Sequence, residues 1–263
     1  MTTPRDVLVI DDEQVITQVV VRVCGAEGLH VDAAESAAGA WALLERHGYR
    51  LIVCDAMMPD VDGFQFLAEL LRRGIRTPLI MSTGMATVEN AVKALHAGAI
   101  DFIAKPFTAD ELLTVVRRGL SHDALRQAAP PGSGSAPRTP IPEGCLCLGH
   151  HSWVLMDSSG SALVGVLEPF LRTVTPIAGV MLASVDDEVV QGVGSVTIRS
   201  GDGLDHGVLS PVSGRIVDVN GAVASTPSLL ESDPWAGGWC YRVLPTAWEH
   251  DLQYLRPCVA GPQ

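Results

Sequence analysis

Four apolar runs end on side chains that can handle phosphate or metal. Val7-Leu-Val-Ile10 runs into Asp11-Asp12-Glu13, Leu51-Ile-Val-Cys54 into Asp55, and Phe102-Ile-Ala104 into Lys105-Pro106. The fourth, Pro78-Leu-Ile-Met81, reaches the hydroxyls of Ser82 and Thr83 before Gly84. Carboxylates gathered as closely as Asp11, Asp12 and Asp55 would be repel one another. They are tolerated mainly around a hard divalent cation with a preference for oxygen, which makes Mg2+ (magnesium) the natural candidate. An aspartate held beside such a cation can attack a phosphoryl donor and become an acyl phosphate, while Lys105 supplies an ammonium for the phosphoryl oxygens. Thr83 offers a hydroxyl that can hydrogen-bond the new phosphoryl group and draw its loop along, converting modification into a change of shape. That chemistry describes a switch and not an enzyme.

These side chains meet only if the ends of the strands share one edge. Apolar runs without alternation mark strands buried on both faces, as in a parallel sheet, where ligands gather at the carboxyl ends of strands. Between the runs lie segments with helical spacing. One ends at Glu27 before Gly28, a second opens at Ser36 and runs to Arg46, and a third spans residues 64–73 before Gly74. A fourth spans residues 88–96, and the last opens at Thr108 with Glu111 three residues later, the pattern of a capping box. A further short strand is expected near residues 29–31. Five strands alternating with five helices imply right-handed crossovers and an α/β doubly wound parallel sheet, with Asp11, Asp12, Asp55, Thr83 and Lys105 along one edge.

At 263 residues, 47% hydrophobic and 18% charged, the chain is long enough for two domains with cores of their own. A formal net charge of -12 argues against nucleic acid and against an anionic membrane as partners. No apolar run approaches the length of a membrane span, and Met1-Thr-Thr-Pro-Arg-Asp6 lacks the layout of a signal peptide, so the expected location is cytoplasmic. The 6 cysteines are sparse, and Cys24 and Cys54 lie among apolar residues, so no disulfide framework is expected.

Asp11-Asp12, Asp55 followed by Met57-Met-Pro59 and Asp62-Gly63, Thr83-Gly84, and Phe102 three residues before Lys105-Pro106 together resemble the receiver domain of bacterial two-component response regulators, over residues 5–121. The resemblance implies a flavodoxin-like, five-stranded fold with Asp55 as phosphoacceptor. Asp12 is then a direct magnesium ligand, Asp11 a ligand through water, and the Met57 backbone carbonyl a further ligand. Thr83 and Phe102 become the switch pair, although a phenyl ring cannot report through a hydroxyl as tyrosine does. A histidine kinase or phosphotransfer protein is implied as the phosphoryl source. The resemblance also allows a receiver-mediated homodimer and points to residues 88–107 as the signalling face.

Residues 122–142 are rich in Pro, Gly and Ser and are expected to be an interdomain linker. Beyond it, residues 143–263 show short apolar stretches broken by Gly, Pro, Asp and Ser, the pattern of a small mainly β domain with helical spacing only at 248–255. Acidic residues there outnumber Arg172, Arg199, Arg215, Arg242 and Arg256, so a DNA-binding output is not expected.

His151-Ser-Trp153-Val154, Gly165-Val-Leu-Glu-Pro-Phe170, Ser210-Pro-Val-Ser-Gly214 with Val219-Asn220, and Asp233-Pro234 through Gly238-Trp239 resemble the glycine cleavage system H protein. That family is similar to lipoyl domains, which implies a barrel-sandwich hybrid of β strands presenting a lipoylated lysine on an exposed hairpin. Counting back from Ser210, the lysine position holds Gly203, and the chain's only lysines are Lys93 and Lys105. An amide to lipoate requires a primary amine, so a carrier role in glycine cleavage is excluded. The remaining expectation is a docking surface for a protein partner that the sequence does not identify. An alternative rests on Cys145-Leu-Cys147-Leu-Gly-His150-His151, whose thiols and imidazoles are ligand types for zinc or a softer metal. In that reading the second domain is a receiver-gated sensor or scaffold for a metal or small molecule.

Overall fold

The computed structural model describes residues 5–84, 88–128 and 140–258, and the chain divides into two compact units, Met1–Ala124 and Leu125–Gln263. In the first unit, β1 (Arg5–Ile10), β2 (Val31–Ala34), β3 (Tyr49–Asp55), β4 (Leu79–Thr83) and β5 (Asp101–Ala104) pair in parallel in the order β2-β1-β3-β4-β5. They alternate with α1 (Gln14–Ala26), α2 (Ala37–Leu44), α3 (Gly63–Arg72), α4 (Val88–Ala97) and α5 (Ala109–Ala128).

The unalternating apolar runs have the expected cause. Leu8, Ile10, Ile52, Cys54, Leu79 and Met81 pack on one face of the sheet against Ala40 of α2 and Phe66 and Leu70 of α3. Val7, Val9, Leu51, Val53 and Ile80 pack on the other face against Val20 of α1 and Leu112 and Val116 of α5. Successive strand residues point to opposite faces, and both faces are covered, so every position is apolar. The strand order reverses between β1 and β3, which sets their carboxyl ends side by side at the crevice where such sheets bind ligands.

The expected helix starts are built as capping predicts. Ser36 Oγ accepts from Gly39 N at 3.2 Å, and Asp62 Oδ1 accepts from Gln65 N at 2.8 Å. Thr108 and Glu111 form a reciprocal capping box, with Glu111 N donating to Thr108 Oγ1 at 3.2 Å and Thr108 N donating to Glu111 Oε2 at 2.7 Å. Two boundaries differ from the sequence reading. Leu29 N donates to Cys24 O at 3.2 Å, so residues 28–29 close α1 and β2 starts only at Val31. The helix α5 continues through residues 122–128, a stretch the sequence reading assigns to the linker; these residues contain neither Pro nor Gly, and Asp123 is buried with Arg50 Nε 3.8 Å from its carboxylate. The rest of the expected linker up to residue 139 lies outside the described residues.

The second unit is mainly β and antiparallel. Its strands are β6 (Leu146–Leu148), β7 (Ser152–Met156), β8 (Ala162–Val166), β9 (Ile177–Leu182), β10 (Glu188–Val189), β11 (Gly194–Ser200), β12 (Asp205–Leu209), β13 (Gly214–Val219), β14 (Trp239–Pro245) and β15 (Arg256–Pro257). They form a seven-stranded sheet, β10-β13-β14-β8-β7-β6-β15, and a three-stranded sheet, β12-β11-β9. Trp153 anchors the core, fully buried, with Trp235 at 5.1 Å between ring centroids. Asn220 Nδ2 ties the Gly237 and Trp239 carbonyls at 2.8 Å each, which gives the Val-Asn pair of the sequence a structural role.

Short helices α6 (Glu168–Thr173), α7 (Gly221–Ser225) and α8 (Leu229–Ser232) were not foreseen, because one turn leaves no 3.6-residue period to detect. The helix expected over 248–255 is α9 (Trp248–Asp251) followed by a 3-10 turn, Leu252–Tyr254. Among the described residues, no helix is long and apolar enough to cross a membrane.

Candidate functional site

Asp11 directly follows β1 and Asp55 ends β3, on neighbouring parallel strands in which Ile10 pairs with Cys54. Both carboxylates are buried, Asp11 at 1% and Asp55 at 4% exposure, whereas Asp12 is exposed. One carboxylate oxygen from each of the three lies within 4.8 Å of the others. Lys105, the residue after β5, reaches across: its Nζ is 2.7 Å from Asp11 Oδ2, 2.9 Å from Asp55 Oδ2 and 3.3 Å from Glu13 Oε1. Its backbone N donates to the Thr83 carbonyl at 2.8 Å, and the following Lys105-Pro106 bond is cis.

The electrostatics follow from this packing. Burial raises the pKa of Asp11 against the pull of the Lys105 hydrogen bond, and the Asp55 charge raises it further. For Lys105, burial alone would lower the pKa, but hydrogen bonds to Asp11 and Asp55 outweigh it and push the ammonium up to about 12. A permanently charged ammonium therefore sits between two buried carboxylates. Asp11 Oδ1 also accepts from Glu13 N at 3.1 Å, and Asp55 Oδ1 from Met57 N at 3.3 Å.

The remaining site residues of the sequence reading fall around this centre. Thr83 ends β4 and is buried, with Ser82 paired to Asp55 in the sheet. Phe102, paired with Met81, is half-buried and packs against the cluster containing Leu8 and Ile10. The Met57 side chain is exposed. The loop that Thr83 would draw along includes residues 85–87, which lie outside the described residues. Glu13, the third carboxylate on Lys105, was not singled out; its place after Asp11-Asp12 was the available signal.

Gly203 lies in the turn between β11 and β12 at φ +86°, exposed and without an amine, so the lipoyl group does not fit this chain. Among the described residues, Asp11, Asp12 and Asp55 are the one group of three His, Cys, Asp or Glu ligands drawn close enough for a metal ion. Cys145, Cys147 and His150 are not gathered in that way. Cys145 instead meets Cys258, with 3.4 Å between the sulfurs, a neighbour 113 positions away that spacing cannot reveal.

Residues 7–117 match the family model for the response regulator receiver domain, and residues 147–257 match that for the glycine cleavage H-protein. The chain is a receiver domain followed by an H-protein domain. It is similar to the regulatory protein AtoC of Escherichia coli, 32% identical over 127 residues, covering 48% of this chain and 28% of AtoC. It is also similar to the transcriptional regulatory protein TcrA of Mycobacterium tuberculosis, 35% identical over 111 residues, covering 42% of this chain and 44% of TcrA. The chain thus spans less than half the length of these curated relatives. Among solved structures, the receiver domain of NtrX from Brucella abortus is 36% identical and is covered over 98% of its length and 44% of this chain, with a TM-score of 0.42.

Proposed function

We propose that this response regulator accepts a phosphoryl group on Asp55 from a histidine kinase or phosphotransfer protein and signals through protein contacts of its H-protein domain. The observation that carries the reading is the Lys105 ammonium held between buried Asp55 and Asp11, with the exposed Asp12 carboxylate beside them. An all-oxygen donor set of this kind suits a hard cation; as the resemblance to receiver domains implies, Asp12, Asp55 and the Met57 carbonyl would hold magnesium directly and Asp11 would hold it through water. Bound there, magnesium supplies positive charge to the phosphoryl oxygens.

The chain's own residues do the rest. Asp55 presents a carboxylate oxygen at the mouth of the sheet, where it attacks phosphorus as the donor's bond to phosphorus breaks. Lys105 then exchanges a carboxylate partner for a phosphoryl oxygen at no cost in charge separation. Thr83 turns its hydroxyl to the new group, and Phe102 on the adjacent strand moves with it. Without an amine at position 203, the H-protein domain contributes a surface and no group transfer, and the overall role is that of a switch in the cytoplasm.

The deciding experiment is intact mass of the full chain with magnesium and acetyl phosphate, beside Asp55→Asn. One phosphoryl increment on the parent and none on the variant supports the proposal; an increment that persists in the variant, or its absence from the parent over a time course from seconds to minutes, defeats it.

A further inference from the structure

The thiol cluster of the H-protein domain plays no part in phosphoryl transfer. β15 pairs with β6 so that Arg256 lies opposite Cys147 and Pro257 opposite Leu146. One residue further on, Cys258 lies opposite Cys145, and Cys258 N donates to the Cys145 carbonyl at 3.0 Å. Cys145 N donates to Pro142 O, so one backbone bond joins the two cysteines, and facing residues of neighbouring antiparallel strands fall in the ~4.4–6.8 Å Cα range that a disulfide spans. The two sulfurs are already 3.4 Å apart. Alternation along β6 places Cys147 on the same face as Cys145, so three thiols share one patch.

We propose that Cys145 and Cys258 form a reversible disulfide that fastens the C-terminal strand β15 to β6, making this edge of the H-protein domain responsive to oxidants. Cys145 and Cys147 are buried, whereas Cys258 is partly exposed and is the thiol that meets a solute first. The clamp acts on an element held weakly: β15 is two residues long, both exposed, and Pro257 has no N–H to donate. Cys24, Cys54 and Cys240 are fully buried elsewhere and take no part.

The step balances with a peroxide as oxidant. The Cys258 thiolate attacks one peroxide oxygen, the O–O bond breaks, and hydroxide leaves to become water, giving a sulfenic acid at Cys258. The Cys145 sulfur then attacks the Cys258 sulfur and expels hydroxide, which takes the Cys145 proton and leaves as a second water. Two S–H bonds and one O–O bond are lost, one S–S bond and two O–H bonds are gained, and the peroxide takes two electrons. A dithiol returns them. The hydrogen bond with Cys145 and burial raise the Cys258 pKa against a lowering hydrogen bond with Cys147, which keeps the thiol protonated and slows its oxidation.

The test uses the full chain, treated with hydrogen peroxide, blocked with N-ethylmaleimide and digested for mass spectrometry. Expected are a monomer lighter by two hydrogens, one linked pair of peptides carrying Cys145 and Cys258, and reversal by dithiothreitol. Hydrogen exchange at the Cys258 amide should slow by roughly tenfold or more in the oxidised form. Cys147→Ser should retain the link and Cys258→Ser should lose it. A Cys147–Cys258 link as the first product, overoxidation of Cys258 with Cys145 still free, or only links between chains would each overturn the proposal. So would zinc that co-purifies and protects all three thiols until a chelator removes it. Mapping of the parent chain decides the matter even if a variant fails to fold.

Discussion

Gly63 opens α3 directly against the backbone of Asp55: a Cβ placed on Gly63 would lie 2.2 Å from the Asp55 carbonyl oxygen and 2.9 Å from the Met81 sulfur. Gly63 N also donates to Ala56 O at 3.1 Å, so the helix start and the end of β3 are locked together. The glycine is therefore a spacer that lets the chain return beside Asp55. In Gly63→Ala, backbone and not a flexible side chain must move, which should destabilise the receiver domain by about 1–3 kcal/mol. Urea unfolding and the rate of acetyl phosphate labelling should both fall short of the parent. A variant equal to the parent in both would show that the loop yields freely.

Lys105 is the sole ammonium within reach of buried Asp11 and Asp55 in the described residues, and Lys105→Met leaves those carboxylates facing each other. Removing one partner of a buried ion pair should cost about 2–4 kcal/mol at neutral pH, the lower end reflecting solvent that enters beside Asp12. The sign with pH is determined. Asp11 already titrates above its usual 3.8 because of burial, and loss of the ammonium raises it further. A carboxyl whose folded pKa exceeds its unfolded value stabilises the fold below the unfolded pKa, and that contribution is lost as pH rises through the folded one. The deficit of Lys105→Met should therefore shrink on going from about pH 7 toward pH 4. Thermal unfolding at the two pH values checks it, and a deficit that is constant or grows on acidification would refute the assignment.

Much of the receiver site was legible because few alternatives exist once the strands are known to be buried on both faces. Asp11, Asp55 and Lys105 each sit at the end of an unalternating apolar run, and right-handed crossovers leave one edge for all of them. What spacing could not carry was contact between distant residues. Gly63 looks like an ordinary helix opening after Asp62; its approach to Asp55 exists only in three dimensions. Cys145 and Cys258 come together because β15 returns beside β6, and a two-residue strand has no pattern of its own. The start of β2 differs from the sequence reading because the hydrogen bonds closing α1 reach as far as Leu29, and the end of α5 differs because residues 122–128 are mostly polar yet contain no Pro or Gly to stop a helix.

In the H-protein domain, Asp157 organises the turn between β7 and β8. Its carboxylate accepts from Ser159 N at 2.8 Å, Ser161 N at 3.2 Å and Ser161 Oγ at 2.7 Å, and it pairs with Arg242 of β14. Hydrogen bonds from Ser159 and Ser161 hold it well below the usual carboxylate range. A folded pKa below the unfolded value gives stability that is present above the unfolded pKa and is lost as pH falls through the folded one. Asp157→Asn should lower the melting temperature of this domain at neutral pH, and the difference from the parent should hold down to about pH 4 and narrow as the pH falls below it. Tryptophan fluorescence reads this domain, since Trp153, Trp235, Trp239 and Trp248 outnumber Trp41. A difference independent of pH would mean that the turn is held by shape and not by charge.

Gly203 occupies the hairpin position at which the H-protein resemblance places a lipoylated lysine, and it does so at φ +86°, a conformation that side chains rarely adopt. An ideal Cβ there meets nothing within 4 Å, so Gly203→Lys has room and faces only backbone strain of about 1–2 kcal/mol. The variant should fold with a slightly lowered melting temperature and present the amine that the parent lacks. Incubated with a lipoate ligase, lipoate and ATP, the parent should show no mass gain at any enzyme concentration. A lipoyl increment on the variant alone would show that a single side chain separates this domain from a carrier. No increment on a folded Gly203→Lys variant would show that the hairpin lacks more than the amine and would overturn that view, whereas an increment on the parent, whose lysines Lys93 and Lys105 both lie in the receiver, would show only that the ligase is unselective.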